Sequence, residues 1–543
     1  MEEKVRKTIA AVLIMFMMAQ GALVAWAETT PAVPSEQGVS SAPVVSSTPA
    51  GQYRLISAGN YDLFTNHVDG YSLFVPKGMT VDMSYSEVGA ALENENIRID
   101  IYKQNVAGIG RYSYINYSKR FLYNTADHYT EFREQQTIGG YDVTVTAWSR
   151  KKLSRIENDK NYYVCLEVSF GNFVYTILVK ANAPLYRLGG YAYLVENFRI
   201  EAVTATPYVR KSSAVDVETR GWNDETRAFY EKYFDPDASL TWGIFEPDTA
   251  IFDYTKIKGY EAFLEYQFPI ILNYSEFENQ RRHPNLKQRL EMARDHGKTL
   301  VLTLQTPLGG MPDGSKQIYS ILNGEYDQFL ANYAQVIADF GHPVLFRLGN
   351  EMNGDWCDYS AFHTSKDTVI FREWWKYVYS FFESAGANAN TLWLWNPNGA
   401  SFPNFKWNDE LMYYPGDEYV DIVGLTKYNT GTFYYRYGER WQEFHELYDN
   451  LYARYDRNYG QSLMIPEFAS ASMGGDKVQW VINMFDHIPN YDRIKVAIWW
   501  DGCDWDADGN IARSYFIDDP PEVLEVFRQN IRGNWRRGVF ASR

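Results

Sequence analysis

Residues 343–356 read Pro343-Val-Leu-Phe-Arg-Leu-Gly-Asn-Glu-Met-Asn-Gly-Asp-Trp356. The first half is a short apolar strand; the second gathers Arg347, Asn350, Glu351 and Asn353 where the strand stops. So many polar groups at one strand end cost folding free energy unless they bind or react with something. Strands of the same kind recur throughout the chain beyond Pro207. Short apolar runs at Leu240 to Glu246, Phe268 to Asn273, Thr299 to Gln305, Pro343 to Leu348, Thr391 to Trp395, Asp421 to Thr426, Ser462 to Glu467 and Ile494 to Trp500 alternate with helical patterns such as Tyr326 to Phe340 and Ile370 to Ala385. Eight strands with intervening helices predict an α/β fold, the parallel (β/α)8 barrel. An open doubly wound sheet is the competitor, but no Gly-rich phosphate loop follows the first strand.

The rest of the 543 residues divides upstream of this barrel. Lys4, Arg6 and Lys7 precede an apolar run from Thr8 to Val24 that ends in Ala25-Trp26-Ala27. Residues 1–27 therefore have the three regions of a secretory signal peptide, with an uncleaved anchor as the alternative, and bacterial-type export to a secreted or cell-surface location is expected. No other segment has the length and apolarity to span a bilayer, so no membrane span is expected after cleavage. Residues 28–52, with Pro31, Pro34, Pro43 and Pro49, read as an extended Pro/Ser/Thr-rich linker. From 53 to 205 the period changes to two: Ile97, Ile99 and Ile101 alternate with Arg98 and Asp100, and Tyr162 to Phe170 turns at Gly171-Asn172 into Phe173 to Val179. A smaller α+β domain with an antiparallel sheet is predicted, with helices near Ser113 to Thr125 and Pro184 to Glu196. It holds no constellation of acids, histidines or cysteines; an accessory, adhesive or carbohydrate-binding role and a plain spacer all fit. Residues 206–543 form the barrel domain.

Composition narrows the ligand. A net charge of −16 argues against nucleic acid and anionic membrane surfaces. Aromatic residues make up 17% of the chain, with 16 Trp and 43 Tyr, an excess that suits stacking on the flat faces of sugar rings. A neutral polysaccharide is the expected partner, and nothing calls for a second subunit, so a monomer is expected. Cys165, Cys357 and Cys503 are too few and too far apart for a disulfide framework or a zinc cluster, and whether Cys357 and Cys503 pair is left open. Asp501, Asp504, Asp506 and Asp508 resemble a calcium loop but lack its Gly and Glu register. No metal and no cofactor is expected.

In a barrel of this type the reactive groups sit at the carboxyl ends of the strands. Those positions hold Glu246, Gln305, Glu351, Trp395 with Asn396, Tyr428, Glu467, and Trp499 with Trp500 and Asp501. Two glutamates can cleave a glycosidic bond by dividing labour, one protonating the leaving oxygen while the other attacks the anomeric carbon or activates water. Their environments must then push their pKa values apart. Arg347 and Tyr428 are placed to hold Glu467 ionised, leaving Glu351 to carry the proton. Of Trp499 and Trp500, at most one can face the mouth, because adjacent strand residues point to opposite faces. Trp395 and one of that pair are the candidate substrate-binding indoles, and Glu246 is either a ligand for substrate or an ion-paired strand end.

The segment Arg347-Leu-Gly-Asn-Glu-Met-Asn-Gly-Asp-Trp356 resembles the acid/base strand of glycoside hydrolase family 26, which includes β-mannanases. Tyr413 to Gly424 is similar to that family's approach to strand six, and Ile465-Pro-Glu-Phe-Ala469 to its nucleophile strand. The resemblance covers roughly residues 241–531. It implies Glu351 as acid/base, Glu467 as nucleophile, Tyr428 as a hydrogen-bond donor to the nucleophile, Arg347 as a steadying charge, and Trp356 and Trp499 as sugar platforms. Two positions depart from the pattern. Asn350 stands where the family commonly has His, and Thr426 where it often has Asp. Related barrels use Asn-Glu, with the amide on a sugar 2-hydroxyl, so these departures bear on which sugar is bound rather than on cleavage. The expected function is a secreted retaining endo-β-glycosidase acting on a β-mannan or β-glucan; the alternative is a non-catalytic polysaccharide-binding or scaffold protein on a retired barrel.

Overall fold

The computed structural model describes residues 51–184, 190–307 and 310–533. The signal peptide expected at residues 1–27 lies outside the described residues, as does the linker expected at 28–52 apart from its last two positions.

Eight parallel strands close into a barrel: β1 (Thr241–Phe245), β2 (Ile270–Glu276), β3 (Thr299–Gln305), β4 (Val344–Leu348), β5 (Thr391–Trp395), β6 (Ile422–Gly424), β7 (Ser462–Phe468) and β8 (Ile494–Trp500), with β8 pairing back onto β1. Both faces of such strands are buried, so they read as nearly continuous apolar runs and the period of two decides which side chain goes where. In β4, Val344, Phe346 and Leu348 pack outward against the helices while Leu345 fills the lumen. Arg347 follows Leu345 inward. The helix Asp224–Phe234, capped by Asn223, presses Tyr230 and Phe234 against Ile270, Leu345 and Ile422 where the strands begin. One end of the barrel is thereby plugged, and the carboxyl ends of the strands are left for chemistry.

The outer ring follows from amphipathic stripes. Thr368–Ala385 buries Ile370, Phe371, Trp374, Trp375, Val378, Phe381 and Phe382, one face of a helix capped by Asp367 and ended by Gly386 at φ 74°. Between β5 and β6 only short 3-10 turns occur among the described residues. Register between β7 and β8 slips at Leu463/Met464 and again at the site. Ile465 pairs with Ala497 and Phe468 with Trp499, three steps on β7 against two on β8. That extra residue is a bulge at Pro466 and Glu467. It lets Ile465 and Phe468 both pack outward, which a regular strand forbids for positions three apart, and Pro466 has no ladder N–H to lose there.

Two antiparallel sheets precede the barrel. Tyr53–Ala58, Tyr61–Asn66, Tyr71–Pro76 and Arg199–Ile200 form a four-stranded sheet, and Thr80–Asp82, Ala90–Glu93, Ile97–Asn105, Phe173–Ala181, Tyr162–Phe170, Tyr141–Arg150 and His128–Ile138, in that spatial order, form a seven-stranded one. The expected hairpin is present, with Gly171 at φ 56° opposing Phe170 to Phe173. The helix expected from Ser113 to Thr125 appears as Arg111–Tyr117 followed by a 3-10 turn at Arg120–Tyr123; of the second, Tyr193–Glu196 is helical and residues 185–189 lie outside the described residues. This region packs on the barrel layer. Tyr102, Val106, Tyr114 and Ile115 join the same apolar cluster as the barrel layer. Lys180 Nζ lies 2.6 Å from Asp367, and Lys366 Nζ 3.5 Å from Glu167, with none of the four side chains more than 4% exposed. No helix of the described residues is long and apolar enough to cross a membrane.

Candidate active site

Three donors converge on Glu467. Arg347 Nη1 and Asn350 Nδ2 donate to Oε1 at 3.1 and 3.4 Å, and the hydroxyl of Tyr274, on β2, donates to Oε2. Arg347 is fully buried and also donates to Thr303 Oγ1 and Asn396 Oδ1, each at 2.8 Å. Asn396 in turn donates to Thr426 Oγ1 at 3.0 Å. Thr426, one of the two departures from the family pattern, therefore supports a partner of Arg347. Burial and the adjacent Glu467 charge raise the Tyr274 phenol well above its ordinary pKa, which keeps it a proton donor. Two buried atoms in this cluster, Arg347 Nη2 and Asn350 Oδ1, have no hydrogen-bond partner. Unpaired buried donors and acceptors are rare and expensive, and here they lie beside the two carboxyls.

Glu351 is held differently. The turn that carries it needs left-handed backbone at Gly349 and Glu351, both at φ 53°. A Cβ at Gly349 would come within 2.7 Å of the Trp374 ring, so only glycine fits there. Glu351 itself adopts a conformation costing about 1–3 kcal/mol for a residue with a side chain, and its N–H is fixed by the Asn396 carbonyl at 2.8 Å. Its carboxyl accepts from Asn398 Nδ2 at 2.6 Å and from Trp356 Nε1 at 3.0 Å. Asn353 locks Asn398 in place, donating to its carbonyl at 2.9 Å and accepting from its N–H at 2.8 Å. Burial first, and the Glu467 charge second, push the Glu351 carboxyl up to about 7 against the pull of those hydrogen bonds. A carboxyl that retains its proton near neutrality thus faces one surrounded by donors.

The aromatic residues sort by strand parity. Trp356 is 41% exposed, tilted against Phe402 at 5.4 Å and bonded to Glu351, as a sugar platform requires. Trp395, expected to bind substrate, is instead fully buried between barrel and outer ring against Tyr414 and Tyr459, because it shares the outward face of β5 with Trp393. Trp499 is also misplaced by the sequence reading. It points outward onto Phe468 and Phe527 and donates to the Tyr515 carbonyl at 3.0 Å. Trp500 is the indole at the mouth, stacked on Phe245 at 5.1 Å and donating to the Tyr274 hydroxyl at 3.2 Å. Tyr428 lies near enough to feel the Glu467 charge and packs on Trp500 and Tyr515. The phenol hydrogen-bonded to Glu467 is that of Tyr274, not Tyr428.

Glu246 follows Trp242 and Ile244 outward, away from the mouth. Neither of its buried carboxylate oxygens has a hydrogen-bond partner, Lys256 Nζ is 3.8 Å away, and burial followed by the Asp248 charge raises it to about 8. Asp501 pairs with the same lysine at 2.7 Å. Cys165 and Cys357 are buried free thiols. Among the described residues no group of three His, Cys, Asp or Glu side chains is arranged to hold a metal ion.

Residues 311–454 match the model of glycosyl hydrolase family 26. Endoglucanase H of Acetivibrio thermocellus is 29% identical over 216 residues, covering 39% of this chain and 22% of that protein. A mannan endo-1,4-beta-mannosidase of Bacillus subtilis is 31% identical over 103 residues, 18% of this chain and 27% of that protein. The chain thus spans less than a third of the length of these relatives. The solved structure of a modular endo-beta-1,4-mannanase from Cellulomonas fimi is similar at a TM-score of 0.42 and 16% identity, covering 60% of this chain and 76% of that one. Residues 311–454 supply β4, Glu351, Trp356, Asn396 and Tyr428, so the stretch similar to glycosyl hydrolase family 26 holds one of the two glutamates, and Glu467 lies beyond it.

Proposed function

We propose that this protein is a retaining endo-β-glycosidase that hydrolyses a neutral β-linked polysaccharide by double displacement, with Glu351 as general acid and then base and Glu467 as nucleophile. The observation that carries the reading is the contrast between the two carboxyls. Glu351 is raised to about 7 by burial and by its neighbour's charge, whereas Glu467 accepts from Arg347, Asn350 and Tyr274. A protonated acid donates to the departing glycosidic oxygen as the nucleophile's free lone pair attacks the anomeric carbon; the first residue, now deprotonated, then takes a proton from the water that releases the sugar. Asn350 Oδ1 and Arg347 Nη2, left without protein partners, support a polar ligand at this place. Trp356 and Trp500 supply the stacking faces. The names of the relatives, an endoglucanase and mannan endo-mannosidases, support β-mannans and β-glucans as the substrate class. Export and a monomeric state belong to the same proposal.

The test is turnover on a panel of mannans, mixed-linkage glucans and xylans, reading products by size and anomeric configuration. Glu351→Ala and Glu467→Ala are expected to lose nearly all reducing-end release with folding intact, and the first-formed anomer to match the substrate's. An inverted product, or turnover near wild type in either variant, would remove the assignment.

A further inference from the structure

The connection from Glu351 to Asp367 carries the acid at its start and the helix cap at its end, and the antiparallel domain grips it along its length. Near the start, Tyr117 donates its hydroxyl to Asp355 Oδ2 at 2.9 Å, and its ring lies 5.3 Å from Phe362. Asp355 immediately precedes Trp356, whose indole N–H holds Glu351 at 3.0 Å. The Asp355 carbonyl is also engaged by His363 Nε2 at 2.6 Å. At the far end, Ser365 and Lys366 adopt left-handed backbone at φ 64° and 55°. Those two residues and Asp367 are held by the seven-stranded sheet: Trp148 Nε1 reaches Ser365 Oγ at 3.3 Å, Lys366 Nζ reaches Glu167 at 3.5 Å, and Asp367 accepts from Tyr163 at 2.9 Å and Lys180 at 2.6 Å. Little regular secondary structure of the connection's own fixes it. Barrel residues hold parts of it, as Asn398 does Asn353 and Tyr413 does Ala361, and the sheet outside the barrel holds the rest.

We infer that the antiparallel domain is a working part of the active site, with Tyr117 as a positioning residue that acts through Asp355 and Trp356 to orient the Glu351 carboxyl. This rests on the reading of Glu351 as the general acid. Tyr117 touches neither sugar nor the reacting atoms. What it holds is the direction of the indole N–H, and with it the plane of the carboxyl that must reach the leaving oxygen. A misaligned acid matters when the leaving group needs a proton and hardly at all when it does not.

The full chain carrying Tyr117→Phe, Asp355→Ala, or both provides the test. Phe keeps the ring against Phe362, and Ala removes the acceptor at 355, so each variant removes the hydrogen bond with little change in packing. The activities compared are hydrolysis of the unactivated polysaccharide and of a dinitrophenyl glycoside of the same sugar, which departs without protonation. Each single variant is expected to slow the polysaccharide reaction roughly tenfold and the dinitrophenyl glycoside less than about twofold, and the double variant to be no worse than either single one. Losing the indole bond that favours the ionised carboxyl also moves the alkaline limb of kcat/KM to higher pH. Equal losses on both substrates would mean general disturbance of the fold and overturn the proposal, as would no loss on either. Glu351→Ala is run beside them. If it fails to show the same leaving-group dependence, the role of Glu351 is wrong and the inference falls with it, a result distinct from failure of the Tyr117 variants alone.

Discussion

Tyr274→Phe is the sharpest probe of the site, because two tyrosines compete for one role. The family resemblance assigns the nucleophile's hydrogen bond to Tyr428, whereas the structure gives it to Tyr274. Phe fills the same volume between Arg347 and Phe245, leaving no cavity, so the loss is confined to one hydroxyl. That hydroxyl donates to Glu467 Oε2 and accepts from Trp500 Nε1 at 3.2 Å. A hydrogen bond to a charged acceptor contributes about 1.5–3 kcal/mol. Glu467 is 4% exposed, so water is poorly placed to replace the donor. Trp500 is less enclosed and adds little to the loss. At about 1.4 kcal/mol per decade, kcat/KM for reducing-end release should fall roughly 10- to 150-fold. Tyr428→Phe removes no bond to Glu467 and should cost less than about threefold. Both variants would be assayed on whichever polysaccharide the wild type cuts, with a thermal melt to establish folding. If Tyr274→Phe stays within threefold of wild type while Tyr428→Phe loses more, the hydrogen-bond assignment is wrong.

The pH dependence gives a second check, since Glu351 must carry its proton and sits near 7. Activity should fall as pH rises through about 7, and Asn398→Ala, which removes a bond favouring the ionised carboxyl, should move that limb upward; a wild-type limb below pH 5 would contradict the assignment. Glu246 tests the fold rather than the reaction. Its carboxyl is raised from 4.5 to about 8 in the folded chain, so it binds its proton more tightly folded than unfolded, and its contribution to stability is lost as pH climbs between those values. Glu246→Gln should therefore raise the urea midpoint relative to wild type at pH 8, reflecting a gain in unfolding free energy on the order of a few kcal/mol at most, and change it little near pH 4.5. A lower midpoint at pH 8 would show instead that the ionised carboxylate is anchored by Lys256.

The barrel was legible because each strand is a bounded apolar run followed by a helical period, and Glu351 and Glu467 because polar motifs interrupt those runs at the right ends. Facing was not legible. When both faces of a strand are buried, nothing in Thr391 to Trp395 or Ile494 to Trp500 says which parity points inward, so the choice between Trp499 and Trp500 stays open in the residues, and the resemblance points to Trp499 where the structure has Trp500. Tyr274 was missed for a simpler reason. Strand two was ended at Asn273, but it runs to Glu276. The polar alternation of Asn273 and Ser275 around Tyr274 is the signal that could have extended it. The part played by residues 53–205 rests on contacts such as Lys366 with Glu167, 199 positions apart, and no local pattern announces such a pair.

The bulge in β7 gives that strand an uneven tolerance for change. Proline at 466 is one solution among several small side chains that fit beside Asn396 and Gly424, where a Cβ on Gly424 would already lie 2.7 Å from the Pro466 ring. The number of residues between Ile465 and Phe468 is a stricter constraint than the identity of residue 466. Regular pairing with β8 that kept every residue would send each side chain from Glu467 onward to the opposite face, turning Glu467 out of the lumen and Phe468 into it. Alignments of this strand that open or close a gap here change where Glu467 stands against its donors, even where every residue letter matches.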